Sequence, residues 1–314
     1  MVVTILIGVQ PVALVIALGW LSGRVGLLRH ADADVLATFV IRFALPFSLF
    51  GGAFDTPPDK LANIGLWLCL AFGLMSTYII ALGVGCFIFK RDLRTATMQA
   101  LVCAFPDLVY FGAPILLAMF GPIGFLAVAM GNLVTGLQIL PLTTMLTNVS
   151  DRKEAGETGS WVILGNSLLS AVTKPIVWLP ILGAGLSASH VTLPGPVLTD
   201  IDTVGRAASG VELFALGLML NGEPFAINAN VLTNIGIKNF LNPALMALGA
   251  VALNLDTDSA RQAVITGALP TATAAAMFAV NNKTYTAEAT STILISTILG
   301  IGMAALMAFL SQQG

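Results

Sequence analysis

The sequence predicts an all-α integral membrane protein of ten transmembrane helices, built as two inverted five-helix repeats whose fourth and ninth helices are broken and cross. Three observations lead there. Apolar stretches are long enough for ten spans, motifs in the two halves recur at a near-constant spacing, and proline breaks fall at matching positions.

Composition sets the class. Of 314 residues, 57% are hydrophobic and 10% charged, and the mean hydropathy is +0.91. Soluble domains carry about 25% charged residues, so most of this surface is expected to face lipid. A net charge of −2 with no basic run excludes nucleic acid as a partner. Cys69, Cys86 and Cys103 lie singly in apolar segments, without metal or disulfide spacing, and read as small buried apolar residues. Val2 to Leu21 is too long for the apolar part of a signal peptide and follows no basic segment. It is expected as a first span retained in the mature protein.

A helix needs roughly 20 apolar residues to cross about 30 Å of hydrocarbon. Such stretches fall at 3–22, 33–54, 61–89, 95–120, 123–147, 161–187, 201–221, 231–254, 260–280 and 285–310. The long third stretch implies tilt. Thr56-Pro57-Pro58, Gly121-Pro122 and Leu193-Pro194-Gly195-Pro196 mark connections. Arg24, Arg29, Lys90, Arg91, Arg94, Arg152, Lys153 and Lys283 gather in the connections after spans one, three, five and nine, all on one side. The other side has little beyond Lys60 and Arg261. Positive residues stay in the cytoplasm, so both termini are expected outside it, in a multi-pass protein of the cell inner (plasma) membrane. The chain divides into a first repeat (1–147), a polar cytoplasmic linker (148–160, with Arg152, Lys153, Glu154 and Glu157) and a second repeat (161–314).

The repeat shows in paired motifs. Pro11 and Gly19 match Pro175 and Gly183, and Ala104-Phe105-Pro106 matches Ala268-Leu269-Pro270, each 164 residues apart. Leu61-Ala62-Asn63-Ile64-Gly65 matches Leu232-Thr233-Asn234-Ile235-Gly236 at 171, which calls for a small insertion near span seven and a later deletion. Five is odd, so the second repeat enters the membrane from the opposite side. Inverted repeats characterise secondary transporters, in which exchange of the two halves' conformations gives alternating access.

Corresponding interrupted spans point to a midplane binding site. Span four carries Pro106, Gly112 and Pro114 within nine residues; span nine carries Gly267-Ala268-Leu269-Pro270-Thr271-Ala272-Thr273, whose hydroxyls can satisfy freed backbone groups. Crossed breaks would turn helix N-termini and free N–H groups toward an anion. The plainer reading is that these prolines kink packed helices. Ionisable residues at depth usually pair or line a pathway. Arg42 and Glu212 suit either a pathway or an ion pair between spans two and seven, and Lys174, beside Pro175, suits an electrostatic partner for an anion. Lys238 and Arg206, nearer span ends, are expected to snorkel. Asp107 repels an anion when ionised, and a proton on it removes that repulsion, which makes it a candidate for proton coupling. Asn132, Gln138, Asn239 and Asn242 could touch substrate or bond helix to helix. The chain has no Gly-rich phosphate loop, metal cluster or nucleophile elbow, and only His30 and His190. No enzyme activity, ATP hydrolysis or cofactor is expected.

The motifs together resemble the auxin efflux carrier family, in particular its bacterial malonate-transporter-like members. The resemblance rests on Ile41-Arg42-Phe43-Ala44-Leu45-Pro46-Phe47, Phe111-Gly112-Ala113-Pro114, Leu216-Gly217-Leu218, Ala268-Leu269-Pro270-Thr271-Ala272 and Ser291-Thr292-Ile293-Leu294-Ile295-Ser296-Thr297, and covers essentially the whole chain. It implies a fold like that of bile-acid/sodium symporters, with a crossover core of spans three to five and eight to ten beside a scaffold. It further implies elevator-like motion, a small organic-anion substrate and a homodimer. In that family the residue after the first crossover proline is often Asn and helps hold a carboxylate; here it is Asp107, with Thr271 as its repeat mate. The substrate-binding candidates are therefore Pro106, Asp107, Pro270, Thr271, Thr273, Asn132, Arg42 and Lys174, with H+ the first candidate coupling ion and Na+ the second. A sodium/proton antiporter or sodium-coupled carrier on the same scaffold is the rival reading. The antiporter predicts ion-driven proton flux without an organic substrate.

Overall fold

The computed structural model describes residues 14–29, 31–56, 63–155, 160–221 and 226–310. Pro11, His30, Pro57, Pro58, Lys60 and Glu157, on which some expectations rest, lie outside them. Among the described residues every regular element is a helix. In chain order these are α1 (Leu14–Arg24), α2 (Asp32–Phe54) and α3 (Ile64–Ile88). Next come α4 (Leu93–Ala104), α5 (108–120), α6 (124–154), α7 (Ser160–Val172), α8 (Pro175–Ala188) and α9 (Gly195–Met219). The last are α10 (Ala229–Ala252), α11 (Thr257–Ala268), α12 (Ala274–Asn281) and α13 (Thr286–Leu310). Four described helices are long and apolar enough to cross a membrane: α2, α3, the 126–154 portion of α6, and α10.

Prolines shape these helices. Pro46, Pro114, Pro141 and Pro243 each stand two residues after a π-turn, at Val40–Ala44, Leu108–Gly112, Thr135–Ile139 and Ile237–Leu241. A proline inside a helix lacks an N–H and its ring collides with the carbonyl four residues back. In all four cases that carbonyl belongs to the π-turn, whose extra residue per turn relieves the collision without ending the helix. Pro175 acts differently. Expected span six is split, because Lys174 is extended (ψ 135°) and Pro175 starts a new helix at its first turn. The expected linker is also shorter, since α6 continues to Glu154.

Helix starts recur with the spacing read from the sequence. The Asp92 carboxylate caps α4 by accepting from Thr95 N–H (2.9 Å), and Asp256 caps α11 by accepting from Ser259 N–H (3.0 Å), 164 residues on. Asn63 caps α3 through Leu66 N–H and Asn228 caps α10 through Val231 N–H, each at 3.0 Å and 165 residues apart. This cap-to-cap pairing differs from the 171-residue match of Asn63 with Asn234, and it needs almost no insertion. Asn234 instead sits buried inside α10, bonded to Gln99, Tyr285 and Thr292.

Packing divides the helices. α2 lies against α8 and α9. α1 crosses α9 at Gly19 and Gly217, where an added Cβ would strike the Phe214 and Ile16 carbonyl oxygens respectively. Small residues at such a crossing let two backbones meet without intervening side chains. Elsewhere α3 packs on α4, α6 and α10, and α10 on α11 and α13. The short α12 touches both groups, lying against α2 and α9 on one side and α4 and α13 on the other.

Candidate functional site

Both predicted breaks exist, and they meet. After Ala104 and after Ala268 the chain leaves the helix, and Pro106 and Thr271 form an isolated antiparallel bridge. Asp107 N–H donates to Pro270 O (2.8 Å) and Ala272 N–H to Phe105 O (2.9 Å). Thr271 is held from both ends: its N–H donates to Ser296 Oγ (3.1 Å) and its Oγ1 to Val102 O (2.9 Å). The unwound backbone thus satisfies much of itself, as buried backbone must. The expectation of N–H groups left open at both breaks is met differently: those of Asp107, Thr271 and Ala272 are occupied, and the starts of α5 and α12 both line the space beside them.

That space is a cavity of about 70 Å3 whose lining includes Pro106, Asp107, Asn132, Thr273, Ala274 and Glu212, together with Ser48 and Ser209. Thr273, at the N-cap of α12, makes no cap with its side chain; its Oγ1 donates to Glu212 Oε2 at 3.0 Å. Asp107 is 4% exposed and Glu212 5%. They are the charged residues among those lining the cavity. Lys238 is fully buried and lies within electrostatic reach of Asp107, with its Nζ 3.4 Å from Gly267 O. It does not snorkel, because it sits in a π-turn that faces the interior rather than at a helix end. Arg206 is exposed and bonds Asp202 across one turn.

The eight sequence-predicted residues separate into two places. Pro106, Asp107, Asn132 and Thr273 line the crossing cavity, Thr271 bridges Pro106, and Pro270 O accepts from Asp107 N–H. Arg42 and Lys174 lie elsewhere, in a cavity of about 750 Å3 shared with Arg94, Lys283, Asp151 and Asn282. There Lys174 Nζ donates to Asn148 Oδ1 (2.7 Å), while Arg94 pairs with Asp151 and Glu154. Glu212 and Arg42 therefore face different cavities and form no ion pair with each other. Ser48 and Ser209, which sequence reading did not single out, also line the crossing cavity, and Glu212, read there as a pathway or ion-pair candidate, faces it as well. The depth of Glu212 was visible, but its neighbour Thr273 was not. Asn239 and Asn242 are buried with neither side-chain oxygen nor nitrogen hydrogen-bonded in the protein.

The profile of the family described as "Membrane transport protein" matches residues 4–308. The "Uncharacterized transporter YfdV" of Escherichia coli (strain K12) is 26% identical over 306 residues, 96% of each chain. A Rhizobium meliloti (strain 1021) protein named "Putative malonate transporter" is 26% identical over 321 residues, 98% of this chain and 95% of its own. "Auxin efflux carrier component 5" of Arabidopsis thaliana is 30% identical over 131 residues, 40% of this chain and 37% of its own.

Proposed function

The chain belongs to the membrane transport protein family, with auxin efflux carriers among its relatives, and from that premise we propose that it is a secondary active carrier of a small organic anion, with malonate or a similar carboxylate as substrate. The observation that carries this reading is the meeting of two proline-broken helices at a buried polar cavity onto which the N-terminus of α12 opens. A helix N-terminus favours negative charge, and Asn132 offers a neutral side-chain amide to a carboxylate. The relative named for malonate spans nearly the same length.

The same proposal extends to architecture: ten spans in two inverted five-helix repeats (1–147 and 161–314) about a cytoplasmic linker, with both termini outside. The paired caps at Asp92 and Asp256 and at Asn63 and Asn228 support it. In an elevator-like cycle the crossing would travel against α1, α2, α8 and α9, with Lys174 and Arg42 lining the cytoplasmic approach to it. The protein would work in the inner membrane as a homodimer, coupled to H+. One observation favours the rival sodium/proton antiporter: two carboxyl groups, Asp107 and Glu212, share one cavity.

Counterflow in proteoliposomes separates the two. Labelled malonate, other dicarboxylates and indole-3-acetate are offered in turn, with and without pH and sodium gradients. The carrier exchanges at least one of them. Proton flux driven by sodium, with no organic anion moved under any gradient, would falsify the carrier reading.

A further inference from the structure

Asp107 and Glu212 share the crossing cavity, but their surroundings differ. Asp107 has the Lys238 ammonium within electrostatic reach. Glu212, on α9, receives a hydroxyl: Thr273 Oγ1 donates to its Oε2 at 3.0 Å. The elements packed on this part of α9 bring it no cation. α8, α12 and the Leu45–Phe54 portion of α2 contain no charged residue. Arg42 and Lys174 line the other cavity, Asp32 at the start of α2 pairs with Arg29, and α1 bears only Arg24, at its far end. On α9 itself, Arg206 is bonded to Asp202 at its exposed end. Asp107 is the charged group that faces Glu212. A carboxylate buried at depth without a cation is costly, and a second carboxylate beside it adds repulsion.

We propose that Glu212 is the group that supplies the coupled proton. This rests on the carrier reading above and deepens it by naming the ion and its place. With the proton on Glu212, Oε2 still accepts from Thr273 while the acid O–H is free to donate to a substrate carboxylate in the cavity. As the crossing slides along α9 and the Thr273–Glu212 hydrogen bond parts, the O–H proton passes to the substrate carboxylate and travels with it. On the far side the anion gives that proton to water, and Glu212 takes another from water on the entry side, so one H+ accompanies each anion and no bond other than O–H changes. Because Thr273 belongs to the crossing and Glu212 to α9, the bond between them also spans the two helix groups that must slide.

The test compares pH profiles of labelled-malonate uptake in proteoliposomes. Wild-type uptake rises as the outer medium is acidified. In Glu212→Gln the uptake that remains is independent of pH, Glu212→Asp retains a pH dependence with a displaced midpoint, and Asp107→Asn, whatever its rate, still rises on acidification, with its midpoint moved to lower pH as the repelling charge is lost. A wild-type profile in Glu212→Gln, or a flat one in Asp107→Asn alone, overturns the proposal. A second measurement needs no substrate. The infrared difference between wild type and Glu212→Gln near neutral pH should contain a protonated-carboxyl C=O stretch, absent from the variant. Absence of that band overturns the assignment even where Glu212→Gln is inactive. Failure of counterflow with every anion, by contrast, removes the carrier reading and leaves the infrared result to stand by itself.

Discussion

At the scale of single residues, the chemistry is decided by who faces whom. Asp107 and Glu212 look alike in sequence, as lone acids inside apolar runs. In the structure one lies near the Lys238 ammonium and the other accepts from Thr273. Thr273→Val removes that hydroxyl while keeping the volume. It should alter the pH profile of uptake, whereas Thr271→Val, whose hydroxyl goes to the backbone at Val102 O, should act on stability instead. In the connection between α10 and α11, Asp256 is held below the usual carboxylate range, first by the Ser259 backbone N–H and then by the Ser259 side chain. A lowered folded-state pKa contributes stability above the unfolded value, and that contribution is lost as pH falls through the folded one. Asp256→Ala should cost about 1 kcal/mol in thermal unfolding of the purified protein. Asp256→Asn should retain most of the cap and remove its acid sensitivity.

At the scale of elements, prolines are the main authors of shape. Those at 106 and 270 break helices, those at 46, 114, 141 and 243 widen a turn, and that at 175 starts a helix. The difference is positional: a helix absorbs a proline when the collision four residues back can be relieved, and stops when the preceding residue turns extended. Sequence reading found the breaks at Pro106 and Pro270 because they recur at one offset. It missed the π-turns because a span of adequate hydropathy looks continuous, and it joined α7 to α8 for the same reason. The α1–α9 crossing makes an element-level prediction. Gly217→Leu forces a side chain into the Ile16 carbonyl, and overpacking of this kind costs roughly 1–3 kcal/mol or more. The variant should lose thermal stability in detergent, while Gly51→Ala, whose Cβ meets open space, should not.

At the scale of the whole molecule, two cavities matter, a small one at the crossing and a larger one lined by Arg42, Arg94, Lys174 and Lys283. If the larger serves as an approach for anions, Lys174→Gln should reduce transport of dianions more than of monoanions, and added salt should narrow that gap by screening. Equal losses for both at all ionic strengths would remove the charge-pairing role. By itself the sequence determined the all-helical membrane class, the family and the two proline breaks, because hydropathy, motif content and a missing N–H are properties of local sequence. Tertiary structure alone decided that the unwound segments of the broken helices bridge each other at Pro106 and Thr271, that Lys238 is buried, and that Lys174 and Arg42 stand apart from the crossing. It alone brought Glu212 to Thr273. Those facts depend on side chains 61 to 169 residues apart in the chain, and helical periodicity inside a uniformly apolar span carries no record of which face meets a neighbour and which meets lipid.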